Sequence, residues 1–177
     1  SLNAAIALVR SRPAEAEMVL ENLADLFRAQ LKDGNQSSTL EREIELAQGY
    51  LAIETIRMGH QRLQSMWYVD APEQAEVPHL LLQPLLENAV YHGIEPSHRP
   101  GEISISIIKR QDWIYIRIDN PLPEDSNKTK KRQGNQMALA NLSDRLTLMY
   151  DADATVRSSK QGDIFRVDMR LPYRKAV

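Results

Sequence analysis

The sequence predicts an α/β two-layer sandwich, a mixed sheet covered by helices on one face, with a helical segment in front. Three observations predict it. Apolar residues recur at helical spacing up to Met58, whereas most of the chain after Gly59 alternates as strands do. The runs Ile103–Ile108 and Trp113–Ile118 alternate cleanly and are joined by the short polar stretch Lys109–Asp112, as in a hairpin. The order after Gly59 is strand, helix, two strands, loop, helix, two strands, which suits helices packed on one side of a sheet.

The elements follow in order. Leu2, Ile6, Leu8 and Val9 mark the end of a helix that stops before Pro13, since proline disfavours helix in the residue before it. Met18, Leu20, Leu23, Leu26, Phe27 and Leu31 give a second helix over Ala14–Lys32, stopped at Asp33-Gly34-Asn35. Ser38 or Thr39 caps a third, because Thr39-Leu40-Glu41-Arg42-Glu43 is close to a capping box. It carries Ile44, Leu46, Leu51, Ile53 and Ile56 and ends at Met58-Gly59. Leu63–Val69 reads as a strand and Pro72–Pro78 as a polar loop. Val77–Tyr91 reads as an apolar helix that His92-Gly93 terminates. After the hairpin, residues 121–136 are polar and basic, and Met137–Tyr150 is helical. Strands at Ala154–Ser158 and Ile164–Leu171 turn at Gln161-Gly162-Asp163. The change of texture divides the chain into residues 1–59, a helical segment, and 60–177, the sandwich.

Composition narrows the function. A chain of 177 residues holds one good core and an appendage. With 22 basic and 24 acidic side chains there is no charge footprint for nucleic acid, so no direct nucleic-acid binding is expected. The absence of cysteine excludes disulfides and thiolate metal sites. No apolar run approaches the ~20 residues a membrane span needs, and no signal peptide precedes the first helix, so the chain reads as cytoplasmic. It opens inside an apolar periodic segment at Ser1-Leu2-Asn3 and is expected to be a piece of something longer.

The most informative segment is Leu81-Leu82-Gln83-Pro84-Leu85-Leu86-Glu87-Asn88-Ala89-Val90-Tyr91-His92-Gly93-Ile94. On a helix Asn88 and His92 are one turn apart and share a face, with Tyr91 beside them and Glu87 next to Asn88. An acid–amide pair on an apolar helix must face something polar, because burying either unpaired is costly. Such oxygens suit Mg²⁺, which takes one or two protein oxygens together with phosphates and water. An isolated Glu-Asn pair more often caps a neighbouring loop, and the spacing alone does not choose between the two.

The segment resembles the N-box of the histidine kinase/gyrase-type ATPase superfamily, and LLLQPLLENAVYHGI is similar to the LLLQPLVENAIKHGI typical of the LytS/YehU branch of sensor histidine kinases. Upstream, Glu43, Tyr50, Leu51, Glu54, Arg57 and the pair Arg62-Leu63 also resemble that branch. The resemblance implies the Bergerat ATP-binding fold, ATP and Mg²⁺, and Asn88 as the Mg²⁺ ligand, with Glu87 at the γ-phosphate and His92 near the phosphates. A histidine favoured by the helix dipole is an equally good account of His92. The family's Asp-Asn-Gly-x-Gly box matches Asp119-Asn120, implying Asp119 as the reader of adenine, but Pro121 and Pro123 stand where glycines are expected. Proline fixes φ and removes a donor where glycine permits close approach. The third box matches at Gly134, Leu139, Asn141, Arg145 and Leu146, while Gln136 and Ala138 replace two glycines. Lys128, Lys130, Lys131 and Arg132 lie where the family's ATP lid lies and could attract a triphosphate, though such runs are also plain solvated surface.

In this family the phosphoacceptor histidine sits in a motif like NPHFLFNSLN. Ser1-Leu2-Asn3 matches its last three residues, and none of His60, His79, His92 and His98 lies on the first helix, so no phosphoacceptor is expected within this sequence. The resemblance implies a homodimeric inner-membrane sensor whose cytoplasmic region passes a phosphoryl group from ATP to a histidine and on to a LytTR-type response regulator. Two alternatives stay open. The lost glycines suit a degenerate-site pseudokinase that binds its regulator; a gyrase- or chaperone-type ATPase would use Glu87 as base for water.

Overall fold

The computed structural model describes residues 2–31, 37–123 and 132–176, the last stretch with its side chains from Leu139 onward. Helix α1 (Leu2–Leu8) leads into α2 (Pro13–Gln30), where Pro13 occupies the first turn, in which its missing N–H costs nothing. Strand β1 (Ser37–Thr39) runs directly into α3 (Leu40–Met58). Thr39 caps α3, its hydroxyl accepting from the Arg42 amide at 3.2 Å. Gly59 ends it at φ 99°, a backbone state that costs glycine no Cβ penalty.

Next come β2 (Leu63–Asp70), β3 (Glu76–Pro78) and α4 (Gln83–Ala89), which passes into a π-helical turn, Val90–Ile94. β4 (Gly101–Arg110) and β5 (Trp113–Pro121) form the expected hairpin, and α5 (Arg132–Tyr150) precedes β6 (Thr155–Gln161) and β7 (Ile164–Pro172). Five strands make one sheet in the order β2–β4–β5–β7–β6, with β2 parallel to β4 and the other pairs antiparallel. The sheet is therefore mixed, as the sequence predicts. Among the described residues no helix is long and apolar enough to cross a membrane.

One face of the sheet is apolar. Ile103, Ile105 and Ile107 of β4, Ile114, Ile116 and Ile118 of β5, and Val167, Met169 and Leu171 of β7 are buried against Leu85, Leu86 and Ala89 of α4 and Leu142, Leu146 and Tyr150 of α5. Each large side chain so buried contributes about 1.5–3 kcal/mol. A smaller core joins Ala5, Val19, Leu26 and Ala29 of the helical hairpin to Leu46 and Ile53 of α3. Leu40, Ala47 and Leu51, also on α3, belong to the main core. α3 is thus a wall shared by both cores, and the change of texture at Gly59 marks its end rather than a gap in packing.

Two expectations need correction. The helix expected over Val77–Tyr91 starts only at Gln83, because Val77 and Pro78 pair with β1 as β3 and Leu80 adopts φ 52°, which no α-helix contains. Pro84 sits in its first turn. The helical path also continues past His92-Gly93 through the π turn, where the Glu95 amide donates to the Val90 carbonyl at 2.9 Å.

Candidate functional site

The walls of the site are α4 with its π turn and the end of β5. Asn88 is half-buried and Glu87 exposed on the last turn of α4; His92 is half-buried and Tyr91 exposed, the two rings meeting edge-on at 4.8 Å between centroids. Gln83, only 4% exposed, donates from Nε2 to Glu87 Oε1 at 2.9 Å, so one turn of α4 holds the carboxylate in place. The sequence reading did not single out Gln83, although its i, i+4 spacing to Glu87 was visible. Among the described residues no group of three or more His, Cys, Asp and Glu could hold a metal ion. The donor chemistry of Asn88 and Glu87 fits Mg²⁺ shared with phosphate oxygens, not a cage made by protein alone.

The π turn lies directly on the strand end. A Cβ on Gly93 would come within 2.4 Å of Asn120 Nδ2 and 2.9 Å of the Pro121 carbonyl oxygen, so only glycine fits. A Cβ on Gly101 would likewise meet Ile94 Cδ1 at 2.5 Å and Pro121 Cγ at 3.1 Å. The N-box and the second box are therefore welded together through Gly93, which belongs to the N-box segment, and Gly101, which lies in none of the three boxes.

Alternation along β5 then separates its two polar residues. Ile114, Ile116, Ile118 and Asn120 face the helices, and Asn120 is 6% exposed. Its Nδ2 donates to the Pro121 carbonyl at 2.9 Å, which leaves the amide oxygen as the group available to accept. Asp119 faces the open side of the sheet. There it is opposite Arg166 of β7 and takes two parallel hydrogen bonds from it, Nε to Oδ1 at 2.8 Å and Nη2 to Oδ2 at 2.7 Å. These bonds hold the Arg166 guanidinium above its usual pKa. Asp119, expected from the motif to read adenine, is thus paired on the face away from α4, and Asn120 occupies the position beside it on the covered face.

The remaining predicted positions divide. Leu139 packs on the main core and Asn141 is exposed on α5. Arg132 and Gly134 lie in the first turn of α5, and Lys128, Lys130 and Lys131 fall outside the described residues.

Two polar clusters are built around residues that the sequence reading named by resemblance, Glu43, Tyr50, Glu54 and Arg57, without foreseeing their partners. On the α3–α4 side Arg57 pairs with Glu54 (Nε to Oε2, 2.7 Å) and with Glu95 just after the π turn. Burial pushes the neighbouring Tyr50 phenol far up, and the charges of Glu54 and Glu87 add to this. The second cluster is buried. Glu43, 1% exposed, accepts from the amides of Leu80 at 3.0 Å and Leu81 at 2.7 Å and lies 3.6 Å from His79 Nδ1. Burial raises its carboxyl pKa, opposed by Ser38, the two amides and His79. Glu43 shares an apolar face with Leu40 and Ala47, a position at which a carboxylate needs partners, and that was the available signal.

Comparison with known proteins agrees with this architecture. The family model described as histidine kinase matches residues 1–63. The sensor histidine kinase YpdA of Escherichia coli is 29% identical over 170 residues, covering 92% of this chain and 30% of its own length. The sensor protein LytS of Oceanobacillus iheyensis is 30% identical over 184 residues, covering 94% of this chain and 31% of its own length. The chain therefore spans about a third of the length of the curated relatives it matches. Among solved structures, the nucleotide-free catalytic domain of histidine kinase ThkA aligns with a TM-score of 0.56 at 16% identity, over 77% of this chain and 94% of that one. The Acinetobacter baumannii histidine kinase AdeS aligns with a TM-score of 0.57 at 12% identity, over 92% and 79%. At those identities the structures speak for the fold.

Proposed function

We propose, starting from the chain's membership of the LytS-type sensor histidine kinase family, that it is the ATP-binding catalytic region of a two-component sensor together with part of its helical dimerisation domain. The observation that carries this reading is the contact of Gly93 with Asn120, which brings the N-box and the strand end into one wall. Adenine lies against that wall, with the Asn120 amide oxygen accepting from its amino group in the role the motif suggested for Asp119. The phosphates run towards Asn88, His92 and the first turn of α5, since helix N-terminal amides favour anions. Asn88 is the residue that would hold Mg²⁺, which supplies charge neutralisation on the phosphates.

The reaction is a phosphoryl transfer. An imidazole nitrogen of a histidine elsewhere in the protein attacks the γ-phosphorus, the bond from phosphorus to the β,γ-bridging oxygen breaks, and ADP leaves with that electron pair. Glu87, held by Gln83 and open to solvent, is placed to take the imidazole proton. The phosphoryl group then passes to a carboxylate of a response regulator, of the LytTR type by the family's habit, within a membrane-anchored homodimer. The exposed apolar side chains Leu2, Ile6, Val9, Leu20 and Phe27 on the helical hairpin suit packing against a second copy.

Calorimetric titration of the chain with a non-hydrolysable ATP analogue tests the reading. Binding is expected only with Mg²⁺ and is expected to fall at least ~10-fold in Asn88→Ala, the loss of one charge-assisted contact. Absence of binding at millimolar nucleotide would favour the second reading, a pseudokinase that engages its regulator without turnover. Pro121 and Pro123, where the family has glycine, are the observation in its favour.

A further inference from the structure

His79 is bonded to two different helices by two different parts of itself. Its ring nitrogen Nε2 donates to the carbonyl of Ala29 in the last turn of α2, at 2.7 Å. Its own carbonyl accepts from Nη2 of Arg145, which reaches in from α5. The residue is 4% exposed, so water does not compete for either bond. Glu43 closes the arrangement from α3 by holding the amides of Leu80 and Leu81. Those bonds fix the left-handed Leu80, and with it the short segment that ties His79 to α4. One buried residue is therefore joined to the helical hairpin, the N-box helix and the helix that follows the lid.

We propose that Arg145 is a positioning residue that acts through His79 to couple nucleotide binding at α5 to the docking of the helical hairpin. The inference rests on the nucleotide-binding reading above and goes beyond it by naming the connection. The geometry leaves little slack. Interiors pack at near-crystalline density, so a displacement of α5 is passed to His79 through its bond to Arg145 rather than absorbed between them. If His79 follows, its ring must drag the Ala29 carbonyl or release it. A bistable contact of this kind turns a small displacement at one site into a different packing at another.

Arg145 is also an expensive choice for a merely structural tie. Burial pushes its guanidinium pKa down, and its Nε is buried with no partner among the described residues. A well-packed apolar side chain can fill such a position at no loss of stability. The charge facing it is Glu43, itself held above the usual carboxylate range by burial. Glu43 is buried and Arg145 half-buried, both at a cost, and the coupling is what that cost supports.

Amide hydrogen exchange of the whole chain, with and without a saturating Mg²⁺-bound non-hydrolysable ATP analogue, tests the proposal. In the wild type, nucleotide is expected to change exchange several-fold in the second half of α2, residues 23–30, far from the nucleotide. His79→Leu removes the donor to Ala29 and is expected to abolish that response while nucleotide still protects residues 88–94. His79→Gln restores a terminal N–H donor and is expected to recover part of it. Arg145→Met is expected to behave as His79→Leu. Should nucleotide protect residues 88–94 in the wild type and leave α2 unchanged, the coupling is wrong and the nucleotide-binding reading survives. A response of α2 that persists in His79→Leu also overturns it. Absence of any protection at residues 88–94 in the wild type overturns the nucleotide-binding reading and the coupling together.

Discussion

The two faces of β5 treat neighbouring polar residues in opposite ways. On the covered face Asn120 is locked between Gly93 and the Pro121 carbonyl, in a space where a single extra carbon collides. On the open face Asp119 is held by an arginine on the next strand, partly in solvent, in an arrangement many side chains could leave without collision. Adjacent residues on a strand are opposed in space, so a motif written as two neighbouring letters does not say which of them lines a site. The parity of Ile114, Ile116 and Ile118 does say it.

The sharpest way to break this contrast is Gly93→Ala. The new Cβ meets backbone as well as a side chain, and neither the Pro121 carbonyl nor the packed Asn120 can retreat far. A loss of about 2–3 kcal/mol in unfolding free energy is expected, the range for overpacking a tight core, read by urea denaturation at constant m. A variant as stable as the parent would mean that the π turn and the strand end are not in contact.

Asn120→Ala comes second and separates binding from stability. It removes the proposed acceptor for adenine while opening only a small space. Nucleotide affinity is expected to drop ~10-fold or more, with a loss of about 1 kcal/mol in stability from the broken tie to Pro121. Binding that survives Asn120→Ala and disappears in Asp119→Ala would return the reading role to the residue the motif first suggested.

Much of this fold was legible because its signals are local. The Ile-x-Ile-x-Ile runs of β4 and β5, the Gly162 turn and the Thr39 cap follow from period and turn chemistry, and each stands where the sequence put it. β1 and β3 were not legible, since three-residue strands carry no period and owe their existence to each other. The start of α4 was misplaced because Val77 and Leu80 to Leu82 are apolar for burial in several elements, not for one helix face. The site was legible as a segment and not as a geometry. Asn88 and Glu87 could be found from their neighbours in sequence, whereas the contacts of His79 with Ala29 and Arg145 span dozens of residues and leave no local mark.

The smallest expected effect is on the open face, and it is the one that isolates the role of Asp119. Asp119→Asn keeps the shape and removes the charge that pairs with Arg166. Exposed or partly exposed ion pairs contribute at most about 1 kcal/mol, and two parallel bonds to a planar guanidinium put this one near the top of that range. The stability difference between parent and variant is expected to shrink as salt is raised towards 1 M, where the screening length falls to about 3 Å. Nucleotide affinity is expected to stay within ~2-fold, because the side chain lies across the sheet from Gly93 and Asn120. A salt-independent stability loss would place the pair in a dry environment, and a tenfold loss of nucleotide affinity would place Asp119 in the site. Either result would erase the difference between the two faces, since the covered face alone is expected to respond to nucleotide and the open face alone to salt.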